Sequence, residues 1–168
     1  MDCKIREWDR RADIVFFKKA ELEAFKGTIP NADDLTESEI RNKLKEMDEN
    51  DPVDLTDPSH EVFIAETDEA GAIGLAWIQD REPFWRFETQ LTWIFNLYVI
   101  SQFRRKGIAR QLLEYIEAWT RKQGLSRIGL HVIEWNTAAR KLYESLGYSL
   151  LHSHNESRFY EKVLSNEE

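Results

Sequence analysis

At 168 residues the chain fits one domain that can bury its own core, and 42% hydrophobic with 12% aromatic residues excludes a disordered chain. A formal charge of −8 argues against life on nucleic acid or an anionic membrane and suits a cationic partner such as an amine. The single cysteine, Cys3, excludes an internal disulfide framework; with no basic-then-apolar leader and no apolar run near the ~18 residues of a membrane span, a soluble cytoplasmic protein is expected.

In chain order, "CKIREW" alternates and reads as a short first strand. From Arg10 to about Lys26, Ile14, Val15, Leu22 and Phe25 share a helical face, and Gly27 offers a stop. Thr36 and Glu39 form a capping-box pair, with Leu35 and Ile40 as its hydrophobic staple, and open a second helix carrying Ile40, Leu44 and Met47. "DENDPVDLTDPSHE" is a loop, and not a calcium loop: Pro52 and Val53 stand where an EF-hand needs a carboxylate and a glycine. "EVFIAET" and "GAIGLAWIQD" are strands joined by the hairpin signal "DEAG".

The aromatic-rich "REPFWRFETQ" leads into an apolar strand ending at Ile100. A helix from about Arg104 to Gln123 follows, then the strand "RIGLHVI" and a helix from Asn136 to Leu146. Two last strands lie near "YSLLHS" and "SRFYEKVL", with a turn near Asn155. The order β-α-α-β-β-β-α-β-α-β-β fits neither a doubly wound sheet nor a barrel. It predicts a single-domain α/β fold in which helices flank a sheet of mixed strand direction.

The stretch "SQFRRKGIARQLLEY" is the most informative. Ile108, Leu112, Leu113, Ile116 and Trp119 recur at three and four, so that helix face packs on the sheet and its N-terminus points out at the sheet's edge. Its first amides have no backbone partners, and the helix dipole favours an anion there. Gly107 lets a phosphate approach the backbone, while Arg104, Arg105 and Lys106 add charge. A Walker loop needs Gly-Lys-Ser/Thr, and a dinucleotide fingerprint needs three spaced glycines; neither is present. With no Walker hydroxyl there is no obvious magnesium ligand, and pyrophosphate binding without metal is expected.

"QFRRKGIARQLL" resembles the acyl-CoA pyrophosphate loop of the GNAT N-acetyltransferase superfamily, here as Arg104-x-x-Gly107-x-Ala109. "NTAARKLYESLGY" resembles the same family's later helix, with Asn136, Ala139, Tyr143 and Gly147 at its usual spacings. The resemblance implies a GNAT-like, mixed and mainly antiparallel central sheet, with acetyl-CoA as co-substrate and no metal. Leu97, Tyr98 and Val99 would pair with the pantetheine arm as an added strand. Arg104, Arg105, Lys106, Gly107, Ile108, Ala109 and Arg110 would offer loop and helix-start amides to the pyrophosphate. Asn136 would touch the cofactor as well as cap its helix. Tyr143 would stand near the sulfur and protonate the leaving thiolate, with a Val99 amide at the oxyanion. A base must deprotonate the attacking amine. Glu88 is the first candidate, with Glu134 and His131 behind it.

These expectations leave the amine open: a small molecule, or a protein N-terminus or lysine. Phe84, Trp85, Phe87 and Trp93 read either as packing or homodimer contact, or as an aromatic wall of the acceptor pocket with Glu82 and Glu88 meeting an ammonium. His152 and His154 make a poor zinc site without further ligands. Two rival readings remain: a CoA-binding sensor without turnover, and "RRKGIAR" as a nucleic-acid contact, which the net charge opposes.

Overall fold

A computed structural model describes residues 1–165, and its elements follow the predicted order. The strands are β1 (Lys4–Glu7), β2 (His60–Thr67), β3 (Gly71–Arg81), β4 (Leu91–Val99), β5 (Arg127–Ile133), β6 (Ser149–His154) and β7 (Ser157–Val163). The helices are α1 (Arg10–Lys26), α2 (Glu37–Asn50), α3 (Ile108–Lys122) and α4 (Thr137–Ser145). One seven-stranded sheet runs in the order β1-β2-β3-β4-β5-β7-β6. Every neighbouring pair is antiparallel except β4 and β5, which α3 joins by a crossover.

The two faces of the sheet are covered by different helices. On one face Ile108, Leu112, Leu113 and Ile116 of α3 pack with Phe63, Ile78, Ile94 and Leu130. On the other, Phe17 and Ala20 of α1 pack with Val62, Ile64, Leu75, Trp77 and Tyr98. The α1 stripe differs from the expected one: Val15 is 77% exposed, while Asp13, Phe17, Ala20 and Leu22 are buried. Tertiary partners decide this. Arg6 of β1 reaches over and binds both oxygens of Asp13, at 2.8 and 3.0 Å, so a charged residue rotates the helix inward. Asp9 caps α1 by accepting from the amides of Arg11 and Ala12, and Thr36 caps α2 by accepting from Glu39.

A second difference bears on function. The helix expected from Arg104 begins only at Ile108. Ser101–Phe103 form a 3₁₀ turn, and Arg105 and Gly107 then take left-handed φ angles of 62° and 82° that no helix accommodates. The basic residues are therefore held in a loop.

β4 and β5 pair only at Thr92↔Ile128, Trp93↔Gly129 and Ile94↔Leu130. Gly129 makes that short contact close. A Cβ there would lie 2.7 Å from Leu91 Cδ1 and 2.9 Å from Phe87 Cε1. Gly129→Ala is expected to cost about 1–3 kcal/mol of stability through overpacking, read as a lower urea midpoint at unchanged m.

Candidate active site

Beyond Ile94 and Leu130 the two central strands part, and a cleft of about 1230 Å³ opens between them. A β-bulge shapes its β4 wall. Trp77 opposes Asn96 and Ile78 opposes Ile94, so Phe95 is an extra residue that flips the alternation after it. Leu97 and Val99 now pack toward the α3 face, beside Ile94, while Tyr98 joins Phe17 and Trp77 on the α1 face.

The backbone of the parted strand is also directed. Ile100 donates its amide to Ile73 of the β2–β3 side at 2.9 Å, so strand alternation turns the polar groups of Leu97 and Val99 toward the cleft. The Val99 carbonyl there takes a 2.9 Å bond from Arg104 Nε. Next along the cleft comes the basic loop. Among the described residues, the amides of Arg105 through Arg110 donate to no acceptor; the first helical bond is Gln111 N to Gly107 O at 3.1 Å. Six successive free donors, a helix N-terminus and three arginines at one end of a cleft give that end a positive character suited to an anion.

Leu97, Tyr98, Val99, Arg104, Arg105, Gly107, Ile108, Ala109, Arg110, Asn136 and Tyr143 all line this cleft. Lys106 does not: its ammonium sits 5.4 Å from the Phe103 ring centroid, outside it. Asn136 opens α4, its Oδ1 accepting from the Ala139 amide at 3.2 Å, which leaves its amide nitrogen without a partner among the described residues. Tyr143 is buried on the α3 side of the fork and packs edge-on to Tyr148, and burial pushes its phenol well above the ordinary value. It is protonated at neutral pH.

The first-choice base fares differently. Glu88 and Glu82 lie on the β3–β4 loop and are not among the residues lining the cleft. That loop leaves the β4 end opposite the fork, because β4 opens beneath it and parts from β5 only at its far end. Its aromatics do not line the cleft either. Phe84 and Phe87 pack on Trp93, and Trp85 rests 4.4 Å from Phe159 and 5.1 Å from His152, so the loop closes over β5, β7 and β6. Glu134 is paired with Arg158 at 3.3 Å and also stands outside the lining.

His131 does line the cleft, on the face opposite Tyr143. Its Nε2 is 2.8 Å from Ser157 Oγ and its ring lies 5.3 Å from Phe159. That desolvation lowers its pKa below the ordinary histidine value. Sequence reasoning missed Asn96 and Glu23, which also line the cleft, as do the acids Asp33 and Glu37. A bulge inside an apolar strand leaves no local signature, and Glu23 resembles any solvated helix residue.

The fork of parted parallel strands, the free β4 edge and the amide-rich helix start form one continuous cleft. The chain belongs to the acetyltransferase (GNAT) family, whose model matches residues 27–148. It is 33% identical over 97 residues to the uncharacterized N-acetyltransferase YycN of Bacillus subtilis, covering 58% of this chain and 60% of that protein. It is 39% identical over 56 residues to the [ribosomal protein bS18]-alanine N-acetyltransferase of Escherichia coli, covering 33% of this chain and 38% of that one. In fold it is similar to the PaiA N-acetyltransferase of Thermoplasma acidophilum in complex with coenzyme A, with TM-score 0.72 and 17% identity over 97% of this chain and 99% of that one. No helix among the described residues is long and apolar enough to cross a membrane.

The His131 environment is directly measurable. An NMR pH titration should place its imidazole midpoint below the ~6.5 of an unperturbed histidine. By linkage, its share of stability is present above pH ~6.5 and is lost as pH falls through the lower folded value.

Proposed function

We propose that the protein transfers the acetyl group of acetyl-CoA to a primary amine, by direct attack within a ternary complex. The observation that carries this reading is the continuity of one track: the unpaired β4 edge at Leu97 and Val99 leads into the unpartnered amides of Arg105 through Arg110. An added-strand arm fits the first part and a pyrophosphate the second. Charge-assisted hydrogen bonds of about 1.5–3 kcal/mol each make several such amides sufficient without a metal. Asn136, facing the same cleft, would hold the arm from the α4 side.

On this track the thioester lies at the fork, beside the bulge. The cleft-facing amide of Leu97, the one nearer the bulge, would donate to the oxygen of the carbonyl as negative charge develops there, and that of Val99 would be left to the arm. Tyr143, protonated by virtue of its burial, gives its proton to the departing sulfur. His131 takes the place first considered for Glu88. It faces the cleft as a neutral imidazole at pH 7, with Nε2 engaged by Ser157 and Nδ1 left to accept a proton from the amine. Acid and base thus stand on opposite faces of the fork, which suits a leaving group and a nucleophile that flank one carbonyl. No side chain lining the cleft is a cysteine, and a covalent acyl-enzyme is not required.

Two variants test the halves separately. Gly107→Asp places a carboxylate in the ring of amides, and calorimetry should find acetyl-CoA binding abolished while circular dichroism shows the fold intact; unchanged affinity refutes the loop assignment. Tyr143→Phe should keep acetyl-CoA affinity and lower kcat by about 10²–10³. Equal turnover would reduce Tyr143 to packing. Binding of acetyl-CoA with no release of CoA on any amine would instead favour a sensor without turnover.

A further inference from the structure

Lys106 stands apart in the basic loop. It lies outside the cleft, between Arg105 and Gly107, which both line it. Its carbonyl accepts a hydrogen bond from the Met1 nitrogen at 3.3 Å, and its ammonium sits over the Phe103 ring. The N-terminal segment therefore lies against the back of the loop. What holds that segment is Gln111, in the first turn of α3. Its Nε2 donates to the Met1 carbonyl at 2.6 Å, and its Oε1 accepts from the Cys3 thiol at 3.4 Å. Burial, with the Asp2 carboxylate beside it, raises the Cys3 pKa, so at neutral pH the thiol keeps the proton that this bond requires. Cys3 and Ile5 in turn pack against the core of the α3 face.

The loop needs such backing. Arg105 and Gly107 hold left-handed φ angles of 62° and 82°, and no hydrogen bond within the loop fixes the Lys106–Gly107 peptide plane among the described residues. In a planar trans peptide the carbonyl and the N–H that follows it point opposite ways. A Lys106 carbonyl tied outward to Met1 therefore turns the Gly107 N–H inward, toward the anion end of the cleft. Glycine leaves that plane free to rotate. Rotated by half a turn, the same peptide would present a carbonyl oxygen to an anion in place of an N–H, and attraction would become repulsion. The inner side of the loop has a tie of its own, Arg104 Nε to the Val99 carbonyl, but it lies before the Lys106–Gly107 plane and does not set it.

We propose that Gln111 is a positioning residue for cofactor binding. It clasps the N-terminal segment against the loop, and that segment keeps the Lys106–Gly107 peptide in the orientation that receives a pyrophosphate. This rests on the acetyl-CoA reading of the cleft. Gln111 does not line the cleft, so its effect on the cofactor passes through Met1 and Lys106. Its main chain reinforces the link, the Gln111 amide donating to the Gly107 carbonyl at 3.1 Å. One residue thus bonds to the end of the loop by its backbone and to the loop's backing by its side chain. A loop set in advance binds more tightly, because the ordering of its peptides is complete before the ligand arrives.

Calorimetry of the full chain with acetyl-CoA tests this in Gln111→Met, which keeps the length of the side chain and removes both of its hydrogen bonds. The expected result is a Kd raised about five-fold, as for the loss of one net hydrogen bond, at an unchanged urea midpoint. Amide NMR gives a readout specific to the peptide plane. The Gly107 resonance of the free protein should shift in Gln111→Met, as the plane averages over two orientations, and should return to the wild-type position once acetyl-CoA saturates the site. An unchanged Kd, or a Gly107 resonance alike in the two free proteins, overturns the clasp and leaves the anion role of the loop standing. A raised Kd with a lowered urea midpoint assigns Gln111 to the stability of α3 and overturns it as well. Wild-type protein that does not bind acetyl-CoA overturns the clasp and the acetyl-CoA reading together. If Gln111→Met does not fold, Gln111→Ser, too short to reach the Met1 carbonyl, takes its place with the same expected Kd and Gly107 shift.

Discussion

Everything functional in this molecule depends on the short life of one parallel strand pair. β4 and β5 share three residue pairs and then separate, which leaves backbone donors and acceptors exposed along the inner edge of β4. Such groups are costly to bury without a partner, so the fork is stable only as a wetted or ligand-filled cleft. The geometry is held from both ends. Below the fork, the absence of a side chain at Gly129 lets Leu91, Phe87 and Trp93 press against β5. Above it, the β4 edge continues into a loop that cannot become helix until two left-handed residues have passed.

The charge of the cleft is arranged against the charge of the molecule. A chain with a formal charge of −8 collects Arg104, Arg105 and Arg110 at one end of its cleft, where a helix start adds its own partial positive charge. Glu23 of α1, Asp33 of the α1–α2 segment and Glu37 of α2 also line the cleft. The fork itself is lined by Asn96, His131 and Tyr143 among apolar side chains.

The aromatic loop between β3 and β4 illustrates how packing can imitate a binding site. Phe84 and Phe87 are anchored on Trp93 and Trp85 on Phe159, with Arg81 stacked 3.6 Å from the Phe84 ring centroid. Trp85 accepts a left-handed φ of 50° in order to lie on the β6–β7 hairpin. The loop seals the end of the sheet where the strands remain paired, and the cleft opens at the other end.

The sequence by itself determined the order of elements, the sheet-facing stripe of α3, the caps at Thr36 and Asn136, and the anion-seeking character of the loop around Gly107. Each of these is local: periodicity, a capping side chain, or a glycine in a basic turn is visible within a few residues. Tertiary structure alone decided the inward rotation of α1, because the partner of Asp13 lies on another element. It alone decided the Phe95 bulge, which reverses the sidedness of the rest of β4 without changing its apolar composition. It also decided which acids and bases meet. In sequence Glu88 stands ahead of His131 as a proton carrier, but the fork between β4 and β5, made by contacts distant along the chain, places His131 on the cleft and leaves Glu88 at the far end of the sheet.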